Sequence, residues 1–221
     1  MKVYFLSGLG ADKTFFQLLD LSFCEPVFID WIKPLKKESL SSYAGRIKNS
    51  FMGDYATIVG LSFGGMLATE IAIQNPGCYS ILLSSAKTKF EIPDWYRAAK
   101  YLPLQHLAPA SLQRWFMLRM KQRLGIKNNF EKKVFTELIK RNDKEFNAWA
   151  VDALLGWRNE TVPANVFHIH GTHDKILPYK LVKPHYPIKC GEHMMVLSMA
   201  NQISPLINKL ATQRARATPF S

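Results

Sequence analysis

Short hydrophobic runs recur along the chain, and they consist mainly of consecutive apolar residues rather than alternating ones. Runs of about four to eight such residues are typical of strands that are buried on both faces of a parallel sheet. Five clear runs and a weaker sixth, predicted as an edge strand, are Lys2–Leu6, Pro26–Asp30, Tyr55–Gly60, Tyr79–Ser84, Asn165–His170 and Tyr186–Cys190. The pattern therefore predicts a mostly parallel sheet.

Helical patterns lie between several of these runs. They predict helices over Leu40–Asn49 and Phe63–Gln74, and a last helix from about Met194 to Leu210. Pro205 lies inside the last pattern, so we expect a kink or a break there. Strands that alternate with helices indicate an α/β protein with helices on both faces of the sheet.

The segment from Pro93 to Asn159 does not follow this alternation. It contains no convincing strand and is too long to be a plain connection in a compact domain. Helical patterns are present at Asp94–Tyr101, Ser111–Leu124 and Glu131–Leu155. We therefore expect a helical insertion, which divides the chain into residues 1–92 and 160–221 of a core and residues 93–159 of a cap.

Composition adds a basic charge to this picture. Hydrophobic residues make up 48% of the chain and charged residues 21%, which is typical of a globular protein. The formal net charge is +12, yet no known nucleic-acid-binding module accompanies it, so we expect no nucleic-acid partner. The insertion holds 13 Lys and Arg against 6 Asp and Glu residues, a net charge of +7. Two interpretations stay open: a solvated basic surface, or a field that attracts an acidic substrate or its carrier.

Cysteine usage and hydropathy bear on the compartment. Cys24, Cys78 and Cys190 are odd in number and show no CxxC spacing, which argues against a disulfide framework and fits a reducing compartment. No apolar run approaches the roughly 18–20 residues that span a bilayer. We expect a cytoplasmic protein without a membrane span; the oligomeric state is not predicted.

The strongest chemical signal is the motif Gly60-Leu61-Ser62-Phe63-Gly64. It follows a predicted buried strand and precedes a predicted helix, which is the strand–turn–helix context that a G-x-S-x-G motif requires. A sharp turn of this kind exposes the serine hydroxyl, and residues without side chains on either side let the strand and the helix approach closely. The motif indicates a nucleophilic serine.

With this motif, the chain resembles the α/β-hydrolase superfamily over nearly its whole length, from the first predicted strand to the last predicted helix. The resemblance implies an α/β-hydrolase fold, with a mostly parallel sheet flanked by helices and an inserted helical cap. Val166–Pro178 resembles the segment after the next-to-last strand, with Gly171 at the turn and Asp174 in the position of the catalytic acid. Gly191-Glu192-His193-Met194 resembles the loop that carries the base. The order serine, acid, histidine is that of this superfamily.

The resemblance also assigns roles to these residues. It implies Ser62 as nucleophile, His193 as base and Asp174 as the acid that orients the imidazole. One oxyanion donor should be the backbone N–H of Phe63. The second should be the backbone N–H of Leu9 in Ser7-Gly8-Leu9-Gly10, where relatives usually carry His-Gly. This chemistry needs neither a cofactor nor a metal.

Other interpretations of nearby residues were weighed. Cys190 lies three residues before His193 and could be a nucleophile, but a buried structural thiol is the preferred interpretation. His168, His170 and His173 could bind a metal, although ordinary strand and turn histidines explain them better. Asp143 and Asp152 are alternative acids that lie in the insertion rather than after a strand. The insertion's large apolar residues form its own core or line an acyl pocket; they are Trp115, Phe116, Met117, Met120 and Trp149.

Two functions from different classes remain open. The first is a carboxylesterase- or thioesterase-like serine hydrolase that cleaves a small acyl substrate through an acyl-enzyme. The second is a non-enzymatic ligand-binding protein on the same scaffold, since a fold alone does not determine a function.

Overall fold

The computed structural model describes residues 1–94, 96, 119–140 and 143–217 of the 221-residue chain. Six parallel strands form one sheet in this described part, in the spatial order β2-β1-β3-β4-β5-β6. They are β1 (Lys2–Leu6), β2 (Glu25–Ile29), β3 (Thr57–Leu61), β4 (Tyr79–Leu83), β5 (Val166–Gly171) and β6 (Tyr186–Ile188). The predicted parallel sheet is confirmed, and the weak sixth run is an edge strand.

Two helices of the core lie between the first four strands. Helix α1 (Leu40–Phe51) begins after Ser39, whose side chain accepts a hydrogen bond from the backbone N–H of Ser42. Helix α2 (Phe63–Gln74) ends at Asn75, just before a proline and a glycine that cannot easily continue a helix. Both predicted helices are present, and α1 is two residues longer than expected.

The described part of the insertion corrects one prediction. A single helix was expected over Glu131–Leu155, but there are two: α3 (Asn129–Lys140) and α4 (Lys144–Leu155). The second helix begins at a new N-cap. The Asp143 carboxylate accepts a hydrogen bond from the backbone N–H of Phe146 at 3.0 Å and so starts α4. Residues 119–124 are helical, which agrees with the end of the helix predicted over Ser111–Leu124. Most of that helix, and most of Asp94–Tyr101, lie outside the described residues.

The last predicted helix is also divided, but not at the proline. A short helix α5 (Met195–Ser198) is followed by α6 (Ala200–Ala217), and Pro205 lies inside α6 without ending it. Burial of one face of α6 outweighs the single hydrogen bond that a proline removes. The fully or almost fully buried side chains of that face are Ile203, Ile207, Leu210 and Ala211.

Two hydrophobic clusters lie on the two faces of the sheet. One combines strand residues such as Ile58 and Leu82 with side chains of α1, α2 and α4. The other combines Val59 and Ile81 with α5, α6 and the 3₁₀ turn Lys13–Phe16. Adjacent residues of a strand point to opposite faces, which explains why neighbours in sequence join different clusters. Helices thus flank the sheet on both sides, as predicted.

Within the described ranges, no helix has both the length and the apolar character needed to cross a membrane. The division of the chain into a core and a cap at residues 93 and 159 stays a prediction.

Candidate active site

Ser62 lies at the turn between β3 and α2, in a strained backbone conformation. Its φ of 51° and ψ of −115° are rarely adopted by a residue with a side chain. A Cβ atom at Gly64 would lie 2.3 Å from the carbonyl oxygens of Leu6 and Ser7, and one at Gly60 would lie 2.5 Å from Gly64. The two motif glycines are therefore required for the close approach of strand and helix.

The turn is anchored to the strand next to it. The backbone N–H of Ser62 donates to the carbonyl of Leu83 at 2.9 Å, and the Ser85 hydroxyl donates to the carbonyl of Ser62 at 2.6 Å. Both partners belong to the end of β4 and the residues just after it. These hydrogen bonds stabilise a backbone conformation that would otherwise be unfavourable.

The side chains of Ser62, His193 and Asp174 form an unbroken line of hydrogen bonds. His193 Nδ1 lies 2.8 Å from Asp174 Oδ2, and His193 Nε2 lies 3.0 Å from Ser62 Oγ. A carboxylate only accepts, so Nδ1 carries the proton and Nε2 is free to accept from the serine hydroxyl. Ser62 precedes Asp174 and His193 by more than a hundred positions, and the fold brings all three together.

Asp174 is buried and strongly held. Its Oδ1 accepts hydrogen bonds from the backbone N–H groups of Ile176 at 2.8 Å and Leu177 at 2.9 Å. Burial alone would raise the pKa of this carboxyl group, but the nearby His193 and His170 rings and the Leu177 N–H together hold the pKa below its usual value. The carboxylate therefore stays ionised at neutral pH.

The loop after β1 lies beside the serine. A Cβ atom at Gly8 would meet the Cβ of Ser62 at 3.6 Å, so Leu9 directly follows a residue that lies beside the nucleophile. Ser7, at the position where relatives usually carry histidine, donates from its hydroxyl to the carbonyl of Ala11 at 2.7 Å and closes this loop internally. Phe63 directly follows Ser62 as the first residue of α2. The positions of Leu9 and Phe63 are thus compatible with their predicted role as backbone donors.

Comparison with solved structures gives consistent matches across nearly the whole chain. A thermophilic esterase from Thermogutta terrifontis matches with a TM-score of 0.71 and 15% identity, over 97% of this chain and 90% of its own. An N-acyl homoserine lactone degrading enzyme matches with a TM-score of 0.68 and 16% identity, over 95% and 92%. A meta-cleavage product hydrolase from Pseudomonas fluorescens matches with a TM-score of 0.68 and 15% identity, over 96% and 91%. The chain has the α/β-hydrolase fold.

The match is one of structure rather than of sequence. No family model matches the chain, and no curated protein is similar enough in sequence to count as a match. At identities of 15–16%, the likeness establishes the α/β-hydrolase fold, while the roles of individual residues depend on the geometry of the site.

Several alternative assignments fail on position within this α/β-hydrolase fold. The expectation of a buried thiol at Cys190 is wrong, because this residue is exposed in a left-handed turn after β6 with a φ of 59°. His193 hydrogen-bonds to Ser62 rather than to this cysteine. Asp143 caps α4, and Asp152 lies on the same helix, whereas His193 uses Asp174.

His168 and His170, two of the three histidines near Asp174, form a hydrogen-bonded pair. His168 Nε2 lies 3.0 Å from His170 Nδ1, both rings are fully buried, and His173 is exposed. Over the residues that the structure describes, no three His, Cys, Asp or Glu side chains are grouped so that they could hold a metal ion.

An aromatic cluster covers Phe63 on the side of the insertion. The ring of Phe63 packs edge-on against Trp31, Phe146 and Trp149, with centroid separations of 5.8, 6.4 and 6.1 Å. Two of these partners belong to α4. Trp149, which was expected either in the insertion's core or in a pocket, packs here and also lines a cavity. Trp115, Phe116 and Met117 lie outside the described residues, and Met120 packs partly buried against the same core.

The cavity lies next to the loop after β1 and has a volume of about 1620 Å³. Gly10 and Ala11 of this loop line it, together with side chains of α3 and α4. Its described lining mixes charges, with seven carboxylates and five Lys or Arg residues. Ser62 and His193 are not among its lining residues.

The insertion contacts the loop that carries His193. The backbone N–H of Met194 donates to the carbonyl of Leu124 at 3.1 Å, and Lys127 forms an ion pair with Glu192 at 2.7 Å. This ion pair of Glu192 was not predicted from the sequence. The contact depends on a chain reversal at Gly125, where φ is 79°, and the sequence around it carries no distinct signal of this pairing.

Proposed function

We propose that this protein is a serine hydrolase that cleaves a carboxylic ester or thioester of a small acyl substrate through an acyl-enzyme on Ser62. The observation that carries the proposal is the line of hydrogen bonds from Ser62 Oγ to His193 Nε2 and from His193 Nδ1 to Asp174 Oδ2. This is the arrangement that makes a weak serine nucleophile reactive.

In the first half of the reaction, Ser62 Oγ attacks the acyl carbon while its proton passes to His193 Nε2. Asp174 stabilises the imidazolium that forms and holds the ring in the required tautomer. The tetrahedral oxyanion accepts hydrogen bonds from the backbone N–H groups of Phe63 and Leu9. The bond to the leaving group then breaks, and the alcohol or thiol takes the proton from His193.

In the second half, water takes the place of the leaving group. His193 Nε2 accepts a proton from water as the water oxygen attacks the acyl carbon. A second tetrahedral intermediate forms, and its oxyanion accepts hydrogen bonds from the same two backbone N–H groups. Its collapse releases the carboxylic acid and returns the proton to Ser62 Oγ. Every proton transfer uses a side chain of the site, so the proposed reaction needs neither metal nor cofactor.

The solved structures with the same fold support hydrolysis but differ in substrate. Their names describe an esterase, an enzyme that degrades a lactone and a hydrolase of meta-cleavage products. The substrates of the first two enzymes both contain an ester bond, because a lactone is a cyclic ester, and this favours ester hydrolysis here.

The proposal is tested with a panel of chromogenic esters and acyl thioesters of increasing acyl length. We expect turnover by the wild-type protein and a loss of about 10³–10⁶-fold in Ser62→Ala and His193→Ala. Circular dichroism should show a native fold in both variants, because neither side chain belongs to the hydrophobic clusters. The melting temperature should fall in His193→Ala, which removes a hydrogen-bond partner of the buried Asp174 carboxylate. A Ser62→Ala variant that keeps more than about a tenth of wild-type turnover on every active substrate would contradict the proposed mechanism.

An acidic or carrier-borne substrate is a narrower proposal, and it depends on the insertion's net charge of +7 rather than on the cavity lining, where seven carboxylates outnumber five Lys or Arg residues. Lys132 and Lys133 provide a matched pair, since both are exposed on α3 but only Lys133 lines the cavity. If the field attracts the substrate, Lys133→Glu lowers kcat/KM for an anionic ester more than Lys132→Glu, and added salt selectively slows that ester. Equal salt responses for matched anionic and neutral esters would refute this proposal and leave the hydrolase proposal intact.

A further inference from the structure

A row of buried polar side chains leads from Asp174 through β5 to the loop after β4. His170 Nε2 lies 2.8 Å from the carbonyl oxygen of Leu177, and His170 Nδ1 lies 3.0 Å from His168 Nε2. His168 Nδ1 in turn lies 3.3 Å from Lys87 Nζ. The hydrolytic mechanism uses none of these three side chains, although burying them costs free energy.

Lys87 is fully satisfied as a charged donor. Its ammonium group reaches Glu91 Oε1 at 2.9 Å, the carbonyl of Lys183 at 2.8 Å and His168 Nδ1. An ammonium group has three N–H bonds and no lone pair, so each of these three atoms must accept. His168 Nδ1 therefore carries no proton.

The positions of the protons on His168 and His170 follow from this assignment. A neutral imidazole has a single N–H, so the proton of His168 is on Nε2 and is donated to His170 Nδ1. His170 then carries its proton on Nε2 and donates it to the Leu177 carbonyl. The backbone N–H of Ser85, 3.4 Å from His168 Nε2, is a longer and competing contact. The shorter distance and the charge of Lys87 both favour the direction from Lys87 toward Leu177.

The Leu177 carbonyl belongs to the turn that holds the carboxylate. The backbone N–H groups of Ile176 and Leu177 donate to Asp174 Oδ1, and Asp174 Oδ2 then faces His193. His170 Nε2 is only 3.4 Å from Oδ2, but its single proton is directed to the Leu177 carbonyl. His170 thus secures the turn without competing with His193 for the carboxylate.

We propose that His170 is a positioning residue for Asp174, and that His168 and Lys87 select the tautomer in which it acts. A correctly oriented carboxylate keeps the His193 ring in line with Ser62. Burial is the largest cause that lowers the pKa of His170, and the neighbouring His193 lowers it further, while Asp174, the Leu177 carbonyl and Glu91 raise it. The lowered pKa keeps His170 neutral and in this role at neutral pH.

The inference rests on the proposed hydrolase function, and a pair of amide substitutions tests it. The side-chain nitrogen of glutamine can replace histidine Nε2, whereas that of asparagine reaches only to the position of Nδ1. We expect His170→Gln to keep kcat within about threefold of the wild type, and His170→Asn to lose about 10–100-fold, because small displacements of a catalytic group are costly. KM should change little in either variant.

A control and a second readout separate positioning from mere stability. His173→Gln alters an exposed histidine of the same loop and should leave kcat and melting temperature unchanged. The downfield proton NMR signal of the hydrogen bond between His193 and Asp174 should persist in His170→Gln and shift or broaden in His170→Asn. This signal does not require turnover, so it tests the positioning role even if the wild type hydrolyses no ester and the proposed function is wrong.

An unchanged kcat in His170→Asn would overturn the inference. An unchanged NMR signal in that variant would do the same. Equal losses in the Gln and Asn variants, with both folded, would also contradict it, because the donor to the Leu177 carbonyl would then not matter.

Discussion

Asp174 is the residue whose assignment depends most on the structure. A carboxylate is identified as the acid of a Ser-His-Asp triad by its hydrogen bond to the histidine. In Asp174→Asn, the Oδ1 contacts with the backbone can remain, so we expect normal folding. The amide nitrogen would face His193 Nδ1 and force its proton to Nε2, where the ring can no longer accept from Ser62. We predict a loss of about 10³–10⁴-fold in kcat.

Steady-state kinetics on the best ester of the panel measure this loss, with circular dichroism as the check on folding. A near-silent Asp174→Asn variant, together with an essential role for Asp143 or Asp152, would show that the acid assignment is wrong.

The glycine-flanked motif predicted Ser62, and the resemblance to the α/β-hydrolase superfamily predicted Asp174 after the next-to-last strand and His193 in the loop before the last helix. His168 and His170 carried no comparable signal. Their relation to Lys87 depends on the register that pairs Leu82 of β4 with His168 of β5. Register between strands more than eighty residues apart cannot be read from local patterns.

At the scale of elements, the tight junction of β3 and α2 determines where the serine is held. Gly64→Ala would place a Cβ atom 2.3 Å from two backbone oxygens, which cannot move aside as a flexible side chain can. We predict a loss of about 3 kcal/mol or more in the free energy of unfolding, measured by urea denaturation. Gly53→Ala is the matched control, because nothing lies within 4 Å of the added atom, and its effect should stay within about 0.5 kcal/mol. Equal stability of the two variants would contradict this account of the turn.

Helix boundaries were the least predictable elements. The break between α3 and α4 follows from the Asp143 cap, which the apolar pattern across Glu131–Leu155 hid. A kink or a break was expected at Pro205. There is no break, because α6 continues past this residue with Ile203 and Ile207 buried on one face; the kink stays a prediction. In the first case the decisive interaction is a side-chain cap, which an apolar pattern does not contain; in the second it is the burial of the apolar face, which outweighs the proline signal.

At the scale of the whole molecule, buried histidines link stability to pH. Burial is the first cause that lowers the pKa of His168 and of His170, so both stay neutral in the folded protein as the pH falls below 6.5. The unfolded chain takes up protons in that range, and the free energy of unfolding must therefore decrease as the pH falls. Each such histidine contributes at most about 1.4 kcal/mol per pH unit.

Urea denaturation at pH 7, 6 and 5 measures this slope. We expect a shallower slope in His168→Gln, which removes one titrating group, and an unchanged slope in the exposed-site control His173→Gln. The same slope in His168→Gln as in the wild type would show that this ring does not titrate as the structure predicts.

The central claim is that Ser62 is an activated nucleophile, and covalent labelling tests it most directly. The wild-type protein is treated with a fluorophosphonate, digested and mapped by mass spectrometry. We expect one phosphonyl group per molecule on the peptide that contains Ser62, slow labelling in His193→Ala, and none at this peptide in Ser62→Ala. Absence of an adduct on the folded wild-type protein, or an adduct on another residue such as Cys190, would contradict the claim.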